Sequence, residues 1–508
     1  MKLKVKMLKD EFWYGGDTNI GFFTPLSKKS VYLHSNVIVR SYGQSNTLWL
    51  SNKGRVIWSD KGFTTKFFFG NITCTSEKAE IELFESEDKT LKGAYLYAVE
   101  HFMKPDGKHP NPVMFTIPQY CTWIQFEHNQ TQDNILSYAK SILDNGMPAG
   151  ELIIDDGWQT NFGEWDFDKN KFANPKEMCE QLHSLGFKII LWICPFISQK
   201  SVHFEYLSQN NLLVKDCDGN IAFRKWWNGQ DAVLDLSNPL AMNWFTDYAK
   251  KLIDEFGVDG FKQDAGDAMY YKDDDITFGK VDANTQSKLW AQSAINFDYN
   301  ELRACFQFGC KGVAQRLADK SHKWGILGLG ALLPNTLTQG ITGYAFGCPD
   351  MIGGGQMGDF VGKDKMNLDH ELFMRYAQAS CLMPMMQFSL DIWNINEQIK
   401  NVCLNCIELH QKYADYIINL AKHASVTGEP IVRYMEYCFP NKGYGKLTSQ
   451  FMLGDDIIVA PVLSQGHTTK KVYIPDGKWQ YKDKIYSNEV AIIPAPIDEL
   501  VYLTKVKD

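Results

Sequence analysis

The chain has 508 residues, too many for one compact core, so two to four domains are expected. Hydrophobic residues make up 44% and charged residues 22%, an ordinary globular balance, and the formal net charge of -8 gives no reason to expect nucleic acid or an anionic membrane as a partner. No run approaches the roughly 18 apolar residues of a membrane span. Residues 1–10 alternate Lys with apolar side chains and show no apolar h-region, so no secretion signal is expected. The twelve cysteines fall in no repeating frame, and the single Cys403-x-x-Cys406 pair lies in a helical pattern that suits packing rather than zinc. Together these features point to a reducing, cytoplasmic setting. Asn71-Ile72-Thr73 and Asn129-Gln130-Thr131 match the glycosylation sequon, a pattern common by chance. The aromatic share, 13%, suits either stacking against sugar rings or large β cores.

In chain order, residues 1–105 read as β structure. Short alternating runs at 31–33, 36–40, 47–50, 55–58, 65–69 and 80–84 are punctuated by turns such as Asn52-Lys53-Gly54, the pattern of a β-sandwich. Residues 104–112, dense in Pro and Gly, read as a linker. From 113 the grammar changes to strands alternating with helices, the signature of βα units. Strand candidates are 117–126, 151–154, 188–192, the stretch from Val258, 304–308, 343–346 and 385–390. Helices are expected at 131–145, capped by Thr131 and stopped by Gly146, at 175–185, and from Asn238-Pro239 to Gly257. A long excursion, 198–235, carries Arg224-Lys225-Trp226-Trp227-Asn228-Gly229. From about 430 short strands return. The expected fold is therefore α/β: a (β/α)8 TIM barrel over 113–430, flanked by an N-terminal β-sandwich over 1–112 and a small C-terminal β domain over 431–508.

Carboxylates and tryptophans cluster just after the barrel strands: Asp155, Asp156, Trp158, Trp192, Asp264 and Asp350. The C-terminal strand ends carry the active sites of such barrels. No zinc spacing, phosphate loop or serine elbow is present. Paired acids with aromatic walls suit glycoside cleavage, one acid attacking and the other delivering a proton. Lys262, two residues before Asp264, would favour its ionised form, although a structural ion pair at the barrel mouth explains the same residues.

Several stretches resemble glycoside hydrolase family 31, the retaining α-glycosidases. They are Ile153-Ile154-Asp155-Asp156-Gly157-Trp158-Gln159, then Gly186-Phe187-Lys188-Ile189-Ile190-Leu191-Trp192-Ile193-Cys194-Pro195-Phe196, the Asp264 strand, Cys348-Pro349-Asp350-Met351-Ile352-Gly353-Gly354-Gly355, and 454–462. Lys262-Gln263-Asp264-Ala265-Gly266-Asp267 is similar to the branch of the myogenesis-regulating glycosidase and its bacterial relatives. The resemblance implies that Asp264 is the nucleophile and that Asp319, in Arg316-Leu317-Ala318-Asp319-Lys320, is the acid/base, although the spacing departs from the commoner Arg-Trp-x-Gly-Asp form. It further implies that Asp155, Asp156, Lys262, Arg316 and Asp350 bind or line the sugar, with only one of the adjacent acids 155 and 156 reaching it. Trp158, Trp192 and Trp227 either wall the ring or pack in the core. Asp267 supports the site from behind. No metal and no cofactor are expected. The expected ligand is a small carbohydrate, with α-galactosides ahead of α-glucosides and α-xylosides. Transglycosylation by the same pair, or sugar binding without turnover, are the alternatives. A homo-oligomer is compatible with the sequence.

Overall fold

The computed structural model describes residues 1–37, 42–362 and 367–506. Its centre is an eight-stranded parallel sheet whose strands follow chain order: Gln119–Cys121, Glu151–Ile154, Lys188–Ile193, Gly260–Gln263, Tyr299–Leu302, Ala314–Arg316, Gly347–Cys348 and Gln387–Phe388. The last strand pairs with the first, and a bridge from Met351 to Gln387 joins the seventh to the eighth, so the sheet closes. The expected barrel is thus present. Its helices begin and end as the sequence marks them. Thr131 and Asn134 form a reciprocal capping box on Gln132–Asp144, and Asn238 caps Pro239–Phe256, which Gly257 ends in a left-handed turn at φ 77°.

Two strand expectations need correction, and one strand was missed. The stretch 304–308 is not a barrel strand: the fifth strand lies earlier, at Tyr299–Leu302, and Cys305–Phe306 pairs in parallel with Gln44–Ser45 of the N-terminal region. The seventh strand starts at Gly347 rather than within 343–346. The sixth, Ala314–Arg316, carries no apolar run and escaped notice because its residues, Ala, Gln and Arg, give no strand-like pattern.

The N-terminal region holds two antiparallel four-stranded sheets, as expected of a sandwich. Trp13, Trp49, Ile57, Phe67, Ile72 and Cys74 meet between them. Leu48 and Leu50, on either side of Trp49, face the opposite way into the barrel's core, so this sheet is buried on both faces. The reading of 1–105 as entirely β misses a helix, Leu91–Phe102, which fills that second interface. Its residues lack a strong amphipathic stripe because both sides of the helix are largely covered. Most of the run at 36–40 lies outside the described residues. The C-terminal region has a six-stranded and a two-stranded sheet packed around Met452, Ile458, Val472, Trp479 and Ile493. Among the described residues no helix is long and apolar enough to cross a membrane. Cys403 and Cys406 are buried on the helix Glu397–Lys412, where they serve as packing.

Candidate active site

A cavity of about 220 Å³ opens at the C-terminal ends of the strands, and both Asp264 and Asp319 line it. Asp264 follows the fourth strand. Its Oδ1 accepts from Arg303 Nε at 2.7 Å and from the Ala265 amide at 2.8 Å; its Oδ2 accepts from Trp192 Nε1 at 3.1 Å. The Asp-Ala-Gly sequence is needed here. Ala265 and Gly266 both take left-handed backbone, at φ 53° and 71°, turning the chain sharply behind the carboxylate. A Cβ on Gly266 would lie 2.2 Å from the Trp290 ring. Burial alone would raise the Asp264 carboxyl, but Arg303 first, then Lys262 and Arg316, hold it well below the usual carboxylate range.

The principal cation on Asp264 is therefore Arg303, which sequence reasoning missed, and not Lys262. Lys262 Nζ instead pairs with Asp155 Oδ2 at 2.6 Å, both side chains 3% exposed. Burial would lower the Lys262 ammonium, yet Asp155 keeps it above its ordinary value. Arg303 also forks onto Asp267, with bonds of 3.1 and 2.8 Å, and Asp267 accepts the Gly43 amide at 2.7 Å. Asp267 thus aims the guanidinium at Asp264, the supporting position expected for it. Tyr42 stacks on Arg303 with 4.2 Å from ring centre to guanidinium carbon, bringing the N-terminal region into the cavity wall. Arg303 stands one residue beyond the fifth strand. Correct placement of that strand would have flagged it; Tyr42 meets it only through long-range packing.

Across the cavity, Arg316 ends the sixth strand. Its side chain is 1% exposed. Its Nη1 bonds Asp319 Oδ1 at 2.7 Å and Asp350 Oδ1 at 3.0 Å. Its Nε lies 3.3 Å from Glu301 in the barrel interior. Asp350 does not line the cavity. It is fully buried behind Arg316, accepts the Lys320 amide at 2.7 Å, and receives the Tyr376 hydroxyl at 3.3 Å. Burial pushes its carboxyl up, Arg316 opposes that shift, and Asp319 adds to it. Its seat is in the support of Arg316, because the chain there enters the core rather than the mouth. Gln356, which also lines the cavity, donates to the Asp319 carbonyl at 3.2 Å.

Asp155 and Asp156 both line the cavity. Asp155 is fixed by Lys262 and the Cys121 thiol, and Asp156 by Gln159 at 3.0 Å and Asn228 at 2.5 Å. Of the tryptophans, Trp192 and Trp227 line the space, joined by Trp123 from the start of the chain's barrel. Trp158 does not. It is fully buried against Phe167, donates to the Trp192 carbonyl at 2.8 Å, and is core that carries Trp192. Trp227 comes from the excursion, which folds into a three-stranded sheet whose two-residue hairpin loop is Trp227-Asn228, between the paired Trp226 and Gly229. Gln263 turns from the cavity to Ser293, as strand alternation requires. Among the described residues no three His, Cys, Asp or Glu side chains form a metal-holding group.

Residues 114–308 match the glycosyl hydrolases family 31 TIM-barrel domain, and residues 428–505 match the glycosyl hydrolase family 31 C-terminal domain. The chain is 31% identical over 420 residues to the myogenesis-regulating glycosidase of Mus musculus, covering 80% of this chain and 59% of that protein. It is 24% identical over 470 residues to alpha-xylosidase XylQ of Lactiplantibacillus pentosus, covering 85% of this chain and 58% of that one. The chain therefore spans less than two thirds of either relative. Its fold is that of the GH31 dextranase of Flavobacterium johnsoniae complexed with glucose, with a TM-score of 0.87 at 22% identity over 99% of this chain and 66% of that one.

Proposed function

The chain belongs to glycosyl hydrolase family 31, and from that premise we propose that it is a retaining α-glycosidase that removes a terminal α-linked sugar from small glycosides or oligosaccharides. The observation that carries this reading is the placement of Asp264 and Asp319 on one small cavity, with Asp264 held ionised by fixed donors. A space of about 220 Å³ is below the roughly 300 Å³ at which pockets for drug-sized ligands begin, and suits one sugar ring.

In the first step Asp264 attacks the anomeric carbon while Asp319 gives its proton to the leaving oxygen. A covalent glycosyl ester forms. Asp319 then takes a proton from water, which displaces Asp264 with the anomer retained. Arg303 and Trp192 keep the attacking oxygen charged and aimed. Arg316 orients Asp319. Asp155, Lys262 and Asp156 offer polar contacts to the sugar hydroxyls, and Trp192 and Trp227 offer ring walls.

Among sugars, α-galactosides come first, by analogy with the branch that the Lys262 to Asp267 sequence resembles. α-Glucosides and α-xylosides follow; a relative at 24% identity is named an alpha-xylosidase. A panel of aryl α-glycosides, with the product anomer read by NMR as it forms, tests the reading. One α-linked sugar is expected to be released first as the α-anomer. Release of the β-anomer contradicts double displacement, and sugar binding without turnover on the whole panel contradicts a glycosidase. Longer oligosaccharide products at high substrate would assign the same two acids to transglycosylation.

A further inference from the structure

A second and larger cavity, of about 530 Å³, adjoins the first, and the two share Asp156 in their walls. The hairpin loop divides its two residues between them: Trp227 lines the small cavity and Asn228 the large one. The Asn228 amide donates to Asp156 Oδ2 at 2.5 Å, and Gln159 donates to Asp156 Oδ1 at 3.0 Å. The partition between the cavities is thus a single hydrogen-bonded carboxylate and one side chain at the tip of a hairpin.

Two observations say what the larger space is for. Most of its lining side chains can hydrogen-bond, among them Asn161, Ser198, Gln199, Gln230 and Asp231, around one aromatic ring, Phe162. Barrel order fixes which end of the substrate it serves. Asp156 follows the second strand and Asp319 the sixth, four places apart in a ring of eight and so on opposite rims. The leaving group departs on the side of the proton donor, so the cavity beyond Asp156 lies at the far end of the sugar that is retained.

Resting on the reading of the site as a glycosidase, we propose that the larger cavity is a site for a second sugar attached to the non-reducing end of the cleaved one, and that the Asn228–Asp156 hydrogen bond is the barrier that makes the enzyme favour one-sugar glycones. A two-sugar glycone can enter only when that bond yields. Asn228 sits at a half-buried hairpin tip, where its replacement leaves the barrel core untouched.

The test compares kcat/KM for the aryl α-glycoside of the preferred monosaccharide with that for aryl α-glycosides of disaccharides that end in the same sugar. It is run on the wild type, Asn228→Ala and Asn228→Asp. In the second variant a carboxylate repels Asp156 instead of binding it. The ratio of two-sugar to one-sugar kcat/KM is expected to rise at least about tenfold in both variants, the effect of losing one hydrogen bond to a charged acceptor. An unchanged ratio in both, with the one-sugar substrate still cleaved, overturns the inference alone. No turnover of any one-sugar glycoside by the wild type removes the glycosidase reading, and the inference with it.

Discussion

The two rims that supply the acids are built differently. Asp264 follows a strand directly and is gripped by Trp192 and Arg303 from the two neighbouring strands and by the Ala265 amide, with a side-chain exposure of 14%. Asp319 stands three residues past the end of its strand, takes one strong side-chain contact, from Arg316, and is 22% exposed. The difference matches the tasks. A nucleophile needs a fixed charge and a fixed direction, and a dense cage of donors supplies both. A proton donor must change its charge twice per cycle, which a dense cage of cations would oppose.

Substitutions on each rim should therefore fail in different ways. The largest difference is expected from Asp319→Ala. Glycosides with poor leaving groups should lose about 10²–10⁴-fold in kcat/KM, the usual worth of a general acid, while aryl glycosides with good leaving groups lose far less. Steady-state kinetics across leaving groups of graded acidity read this directly. An equal loss for all of them would deny Asp319 the role of proton donor and erase the contrast between the rims.

Arg303→Met acts on the other rim and should show as pH dependence and stability. With its first cation gone, burial is less opposed and the Asp264 carboxyl moves up, so the acid limb of kcat/KM shifts to higher pH. The sign for stability is the same. A carboxyl whose folded pKa is depressed stabilises the fold above the unfolded value of about 3.9 and loses that contribution as pH falls through the folded one. The variant should lose much of that contribution, so its stability is lower at neutral pH and falls less as the pH drops. It also strands the buried Asp267, a cost of about 3–5 kcal/mol that denaturant unfolding would measure. Arg303→Lys keeps the charge and loses the fork, so its acid limb should shift less. An acid limb unmoved in both variants would show that Arg303 does not set the charge of Asp264.

The same contrast explains what the sequence made legible. The second and third strands, Glu151–Ile154 and Lys188–Ile193, carry apolar runs beside the Asp264 motif, so the barrel, the strand-end acids and Trp192 could be read from pattern and motif. The sixth strand is short and polar, and the fifth was placed too late, which hid Arg303 from view. Trp158 and Asp350 sit in the same motifs as residues of the cavity, and motif alone does not say which side of a turn a side chain takes. Both proved to be buried supports. Tyr42 and Asn228 reach the site from the N-terminal region and from a hairpin in the excursion; such contacts depend on tertiary packing that no local pattern encodes.

The claim on which all of this turns is a covalent bond between the sugar and one carboxylate. A fluorinated glycosyl fluoride of the preferred sugar, which slows release of the intermediate, followed by digestion and peptide mass spectrometry, tests it. The account predicts one added glycosyl mass per chain, on the peptide carrying Asp264, and none on Asp264→Asn. A label on another carboxylate, or time-dependent labelling that survives the substitution, would contradict it.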